Sequence, residues 1–311
     1  MKLSLAVFQP NAQTTLEAIV ECEKQGVPEV WVPTLPLGFD PIPLLAAVAA
    51  STTTIHLGTG IAITYFKHPV AMATEAFVLG ELAPGRIRLG VGSSHPFIVE
   101  ETYGIDFGKP VKYMREYVTI LRQMLWEGHV DFEGDYFHAH GAPFLPIKPP
   151  QIPIPLAAIR KPMLKLGGEI SDGILTGWAP MSYVLKVAKP AIQDSATAAN
   201  RPTPPLIASL SVIWHPDREV AKQVGQKTLE LYLQLPAYSD MFAKAGYAIE
   251  NGVVPDQLFD EIFVYGTPDQ IAERIHQIAD SGIDELLIRV EPVNNPFAEF
   301  IAVAQMLARL S

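Results

Sequence analysis

Cysteine is almost missing: Cys22 is the single one in 311 residues. That excludes an intramolecular disulfide and any cysteine cluster around a metal. Charge is scarce too. Only 18% of residues are charged, and 23 cations against 33 carboxylates leave a net charge of −10. No cationic field is available to attract a phosphate backbone, so a general nucleic-acid partner is excluded. No apolar run approaches the roughly 20 residues of a membrane span. The opening Met1-Lys2-Leu3-Ser4-Leu5-Ala6-Val7-Phe8 is too short and too alternating for a secretory signal core, and the expected location is the cytoplasm. There is no G-x-S-x-G elbow, no phosphate loop of the G-x-x-x-x-G-K-[ST] type and no pair of carboxylates at strand ends. Hydrolase, nucleotidase and glycosidase chemistry lose their usual groups. The eight histidines form no zinc pattern. Their one close pair, His138-Ala139-His140, falls on a hairpin and reads as surface, so no metal is expected.

The chain has 49% hydrophobic residues, arranged as apolar runs that alternate with helical patterns. Strands are expected at Lys2 to Phe8, Glu29 to Pro33, Thr54 to Gly60 and Arg86 to Val91. Four more follow at Ile154 to Ala158, Gly173 to Thr176, Leu206 to Trp214 and Glu285 to Val290. Helical patterns separate them. Thr267-Pro268-Asp269 has a capping threonine and a proline suited to the first helical position. Eight strand–helix units predict a single (β/α)8 TIM barrel over residues 1–311, with a doubly wound open sheet as the alternative. Two insertions interrupt the repeat. Residues 95–150 hold a helix from Val111 to Glu127 and a hairpin of Val130 to Phe132 with Tyr136 to His138. The dense prolines from Pro143 to Pro155 predict a stiff, irregular connection. The second insertion, 235–262, follows the seventh strand.

In a barrel, chemistry sits at the carboxyl ends of the strands. Those positions offer Gly92, Ser93, Ser94 and His95 after strand four, then Ala157-Ala158-Ile159-Arg160-Lys161-Pro162 after strand five. Free N–H groups at a helix start beside Arg160 or Lys161 make an anion site, and a solvated cation pair is the plain alternative. A flat apolar ring bearing a phosphate suits this wall better than a sugar does. Trp178 and Tyr65 are candidate walls for such a ring, or core. His68, at a helix start before Pro69, reads as structural. Phe97, Phe107, Phe144, Leu145, Tyr238, Met241 and Phe242 predict a hydrophobic or amphipathic substrate.

Four segments in order carry a resemblance. They are Leu57-Gly58-Thr59-Gly60-Ile61 with Lys67-His68-Pro69; Pro84-Gly85-Arg86-Ile87-Arg88-Leu89-Gly90-Val91-Gly92; Pro155 to Gly173; and Tyr265-Gly266-Thr267-Pro268-Asp269 with Ser281-Gly282-Ile283. Together the chain resembles the bacterial-luciferase-like superfamily of flavin- and deazaflavin-dependent oxidoreductases, and within it the methylenetetrahydromethanopterin reductase branch. The resemblance implies a bulge with a non-prolyl cis peptide at Thr59-Gly60-Ile61, backing the cofactor ring. It places the ribityl chain and phosphate on Ser93, Ser94 and Ala157 to Pro162. It implies the deazaflavin coenzyme F-420, with FMN as the alternative, a flavin or F-420 reductase partner, and a homodimer. Pro33-Thr34-Leu35 stands where many deazaflavin-dependent relatives carry Asp-His. His95 stands where a sugar-phosphate-oxidising relative has a glutamate, and an imidazole there is a candidate proton donor or acceptor. The readings that follow are hydride transfer to or from a small organic substrate, an FMN monooxygenase, and a non-catalytic flavin binder.

Overall fold

The computed structural model describes residues 1–310 apart from Pro36, Leu145 and Pro146. Leu145, counted above among the apolar cleft residues, therefore lies outside the described residues. The first strands are β1 (Lys2–Ala6), β2 (Glu29–Val32), β3 (His56–Thr59), β4 (Ala62–Ile63), β5 (Ile87–Arg88) and β6 (Val91–Gly92). An antiparallel hairpin follows, β7 (Val130–Glu133) with β8 (His138–Gly141). The chain then returns to parallel strands: β9 (Leu156–Ala157), β10 (Ile174–Thr176), β11 (Leu206–Ile213), β12 (Phe263–Tyr265) and β13 (Glu285–Val290).

The pairings close on themselves. β1 lies between β13 and β2, β2 pairs β3, β3 pairs β5, β4 pairs β6, and β6 pairs β9. From β9 the ladder runs through β10 and β11 back to β13. Because β3 with β4, and β5 with β6, are consecutive pieces of one strand each, the circuit has eight positions and the fold is the expected TIM barrel. β12 is the addition that the sequence did not announce. It takes the edge of β11 at Ser211 to Ile213, which β10 leaves open beyond Ala208.

Three departures from the expected elements have local causes. Strands three and four are each broken. Gly60–Ile61 is a cis peptide, and the bulge it makes leans on Gly90, where a Cβ would sit 2.2 Å from the Thr59 carbonyl oxygen. Gly90 returns its carbonyl to both the Thr59 hydroxyl at 2.7 Å and the Ala62 N–H at 2.8 Å. Strand five shrinks to Leu156–Ala157, yet its prolines still join the barrel. Pro153 and Pro155 accept from the Leu89 and Val91 N–H groups at 2.9 Å, so the proline-rich connection reaches into the ladder through its carbonyls. The hairpin's second strand starts at His138 instead of Tyr136, because the buried Glu116 carboxylate gathers the N–H groups of Asp135, Tyr136 and Phe137. Those donors are then spent on a turn and not on the ladder.

Two cores result. Leu5, Val30, Leu57 and Leu89 face the surrounding helices, while Trp31, Leu175, Ile207 and Leu287 fill the barrel interior. Trp31 is fully buried, and that burial is worth on the order of 4–6 kcal/mol. Gly58 permits it, since a Cβ there would stand 2.4 Å from the indole. Beneath Trp31 the Arg88 guanidinium stacks at 4.9 Å. Arg88 donates to Glu285 at 2.6 Å and to Glu29 at 3.3 Å, and Lys2 closes on Glu29 at 2.7 Å. The barrel is thus plugged by charge at one end and by indole in the middle. Only its carboxyl mouth is left for chemistry.

Candidate active site

Above Trp31 the barrel is lined with small groups. Ala6, Ile61 and Ala157 rest on the indole layer. Gly92 meets Ile61 and Ala157, and a Cβ on it would fall 2.3 Å and 3.0 Å from their side chains. Gly60 sits directly over Trp31, 3.2 Å from its Cβ by the same measure. The result is a flat, apolar floor at the level of the cis peptide, built where any larger side chain would intrude. Thr34 secures this floor. Its N–H and its hydroxyl both donate to the Ile61 carbonyl, at 3.1 Å and 2.7 Å. Thr59 belongs to the frame: it is buried and its hydroxyl is committed to Gly90. Any ligand contact from Thr59 comes through backbone.

Around the floor stand the expected residues of the other strand ends. Ser93 and Ser94 follow β6, and Ser94 is in the left-handed region at φ 60°. Trp178, after β10, is also left-handed at φ 47°. Each such non-glycine conformation costs about 1–3 kcal/mol, and such costs gather at functional sites. Ala158 is buried against the helix layer, whereas Ile159 is half-buried and gives its carbonyl to the Tyr183 hydroxyl at 2.8 Å. Arg160, Lys161 and Pro162 are exposed at the start of the helix Lys161–Ile170, whose N-terminus carries no side-chain cap. Arg160 is drawn to Asp240 at 3.5 Å, so an anion arriving there shares the arginine with a carboxylate.

His95 lies in an aromatic enclosure. Its ring is 5.9 Å from Tyr238, 6.2 Å from Phe97 and 6.5 Å from Tyr232. Burial pushes its imidazole below the ordinary 6.5, so it stands neutral at physiological pH. Tyr232 also packs on Tyr238 at 4.9 Å and on Trp178 at 5.4 Å. Burial drives the Tyr238 phenol far above its ordinary range, so it stays a hydroxyl. Arg289 lies over Trp178 at 4.3 Å. It was not among the residues singled out from sequence. The signal was present, because Glu285, Leu287 and Arg289 share the inward face of a period-two strand.

The site also decides readings that the sequence left open. Tyr65 is core, stacked on Tyr113 at 3.9 Å with its hydroxyl given to the Phe107 carbonyl at 2.6 Å. Met241 and Phe242 are fully buried, Phe144 is fully exposed and Phe107 stacks on Tyr65, so of the expected apolar residues Phe97 and Tyr238 stand beside His95. His68 is structural as expected: its Nδ1 accepts from the Val70 N–H at 3.3 Å as a helix cap. His138 and His140 are exposed and paired with Glu133 and Asp131 across their own hairpin.

A sequence profile of luciferase-like monooxygenases matches residues 3–285. The chain belongs to the luciferase-like monooxygenase family. Among curated relatives of this luciferase-like chain, 5,10-methylenetetrahydromethanopterin reductase of Archaeoglobus fulgidus is 28% identical over 78% of the chain and 79% of that protein. An F-420-dependent glucose-6-phosphate dehydrogenase of Microbacterium testaceum is 28% identical over 79% of the chain and 75% of its own length. A solved F-420-dependent secondary alcohol dehydrogenase superposes with a TM-score of 0.80 at 20% identity, covering 99% of both chains. Membership in the luciferase-like family makes this chain an enzyme, and no helix among the described residues is long and apolar enough to cross a membrane.

Proposed function

We propose that this luciferase-like enzyme is an F-420-dependent oxidoreductase, moving a hydride between the deazaflavin and a small organic substrate at the barrel mouth. The observation that carries the reading is the floor of Gly60, Ile61, Gly92 and Ala157 over Trp31, a cradle that any added Cβ would fill. A flat tricycle fits it, and a puckered sugar would leave it half empty. Thr59, Gly60 and Ile61 back the ring through main chain, and Trp178 borders it. Gly92, Ser93 and Ser94 hold the ribityl chain, while Ala157 to Pro162 receive the phosphate at an uncapped helix start. The deazaflavin, when bound, supplies a hydride donor or acceptor that handles electrons only in pairs.

The chain's own residues supply the rest. His95, neutral by burial, accepts the proton of a substrate hydroxyl during oxidation and returns it during reduction. Phe97, Tyr232 and Tyr238 exclude water from the reacting carbon. A homodimer and a reductase partner belong to the same reading and rest on the family resemblance alone, while the cytoplasmic location rests on the sequence reading of the opening segment. FMN is the second reading, favoured by the monooxygenases that give the family its description. Absorbance titration of the purified protein with each cofactor separates the two. The expected result is saturable uptake of F-420; uptake of FMN alone reverses the choice, and affinity for neither tricycle ends both readings.

A further inference from the structure

Among the described residues Arg289 has no hydrogen-bonding or ion-pairing partner. Its Nε is buried and unbonded, and its guanidinium forms no hydrogen bond or ion pair with any described residue. Arg88, on the same side of the sheet, is by contrast matched with two carboxylates. Arg289 is instead held flat against Trp178, which occupies one face of the guanidinium and leaves its planar N–H edge free. The Arg289 charge is felt by Tyr238, whose ring stands 5.9 Å from that of His95. A half-buried guanidinium that is held flat and unpaired, with its Nε buried, is a ready receptor for an anion.

We infer that Arg289 binds the carboxylate of the substrate, and that the substrate is an organic monocarboxylate whose apolar body lies among Trp178, Tyr232, Tyr238 and Phe97. This rests on the proposed function and names the substrate class for the same mouth. One planar guanidinium matches one carboxylate in two parallel hydrogen bonds. A phosphate dianion calls for further cations, and the aromatic residues around Arg289 provide none, His95 being neutral. The anion site at Arg160 lies across β9 and β10 on a different helix start, which keeps the cofactor's phosphate and the substrate's charge apart.

Benzoate and its neutral isostere benzamide test the assignment without knowledge of the natural substrate. Binding is read by tryptophan fluorescence on the protein as purified, and by cofactor absorbance on the protein loaded with F-420. Benzoate is expected to bind wild-type protein at least about tenfold more tightly than benzamide. R289Q should lose that preference, R289K should keep an intermediate affinity for benzoate, and F-420 affinity should be unchanged in both. Equal binding of benzoate and benzamide to wild-type protein overturns the inference, as does no benzoate binding at all. So does full benzoate affinity in R289Q, a loss of F-420 affinity in R289Q, or stronger competition by inorganic phosphate than by benzoate. The wild-type comparison needs no variant, so it decides even if R289Q fails to fold. Failure of F-420 uptake by wild-type protein would instead strike the proposed function, and benzoate binding to the cofactor-free protein still reads Arg289.

Discussion

Replacing Arg88 by methionine tests how the barrel's charged plug supports its reactive end. Arg88, Glu29 and Glu285 are all buried, so solvent does little to screen them. In the variant Glu29 keeps Lys2 at 2.7 Å, but Glu285 loses its 2.6 Å partner and becomes an uncompensated buried carboxylate. Breaking a buried pair from one side costs about 3–5 kcal/mol. The surviving Lys2 contact and the new apolar contact of methionine with Trp31 place the expected loss near the lower end, ~3 kcal/mol. Urea unfolding followed by tryptophan fluorescence should show a lower midpoint at an unchanged slope. Adding Glu285→Gln removes the orphaned charge and should restore at least half of the loss. Affinity for F-420 should fall together with stability, because Trp31 carries the floor beneath Gly60. A single-variant loss under ~1 kcal/mol, or a double variant no better than the single, refutes the argument that desolvation governs this cluster.

Two further outcomes follow from local electrostatics. Burial works against ionisation of Glu23, but N–H groups of Thr54, Ile55 and Thr53 outweigh it and hold the carboxyl down at about 2, below its ordinary 4.5. A depressed carboxyl stabilises the fold above the unfolded value and loses that contribution as pH falls from 4.5 toward 2. Glu23→Gln should therefore cost ~1 kcal/mol at pH 7, after discounting for its partial exposure, and nothing near pH 2, as read by paired urea titrations. For His95 the sign also favours the neutral form: its imidazole is held below 6.5, so stability declines as pH drops beneath that value. An NMR titration of the His95 ring should give a midpoint under 6.5, and one above it contradicts the enclosure described.

The barrel was legible because strand–helix alternation is a local property. Apolar runs near Leu3, Val30, Leu57, Ile174, Ile207 and Leu287 announce buried parallel strands whatever surrounds them. The Thr267 cap, which forms a reciprocal box with Gln270, was equally local. Gly60 and Ile61 were readable only through likeness to other chains, since nothing in two adjacent residues states that their peptide is cis. Long-range contacts account for the misplacements. Tyr65 was open between ring wall and core, and Tyr113 and Phe107, more than forty residues away, decide for core by stacking on it. The hairpin's second strand moved because Glu116, a helical residue, took its donors.

The order of elements, the count of eight strand–helix units and the glycines that thin the mouth are written in the amino-acid string, because each depends on neighbours a few residues apart. The function of Thr34, the neutrality of His95 and the solitude of Arg289 are not. Each depends on which distant groups the closed barrel brings within hydrogen-bonding reach, or keeps out of it. Burial and pairing are properties of an environment, and that environment exists only once β13 has closed against β1.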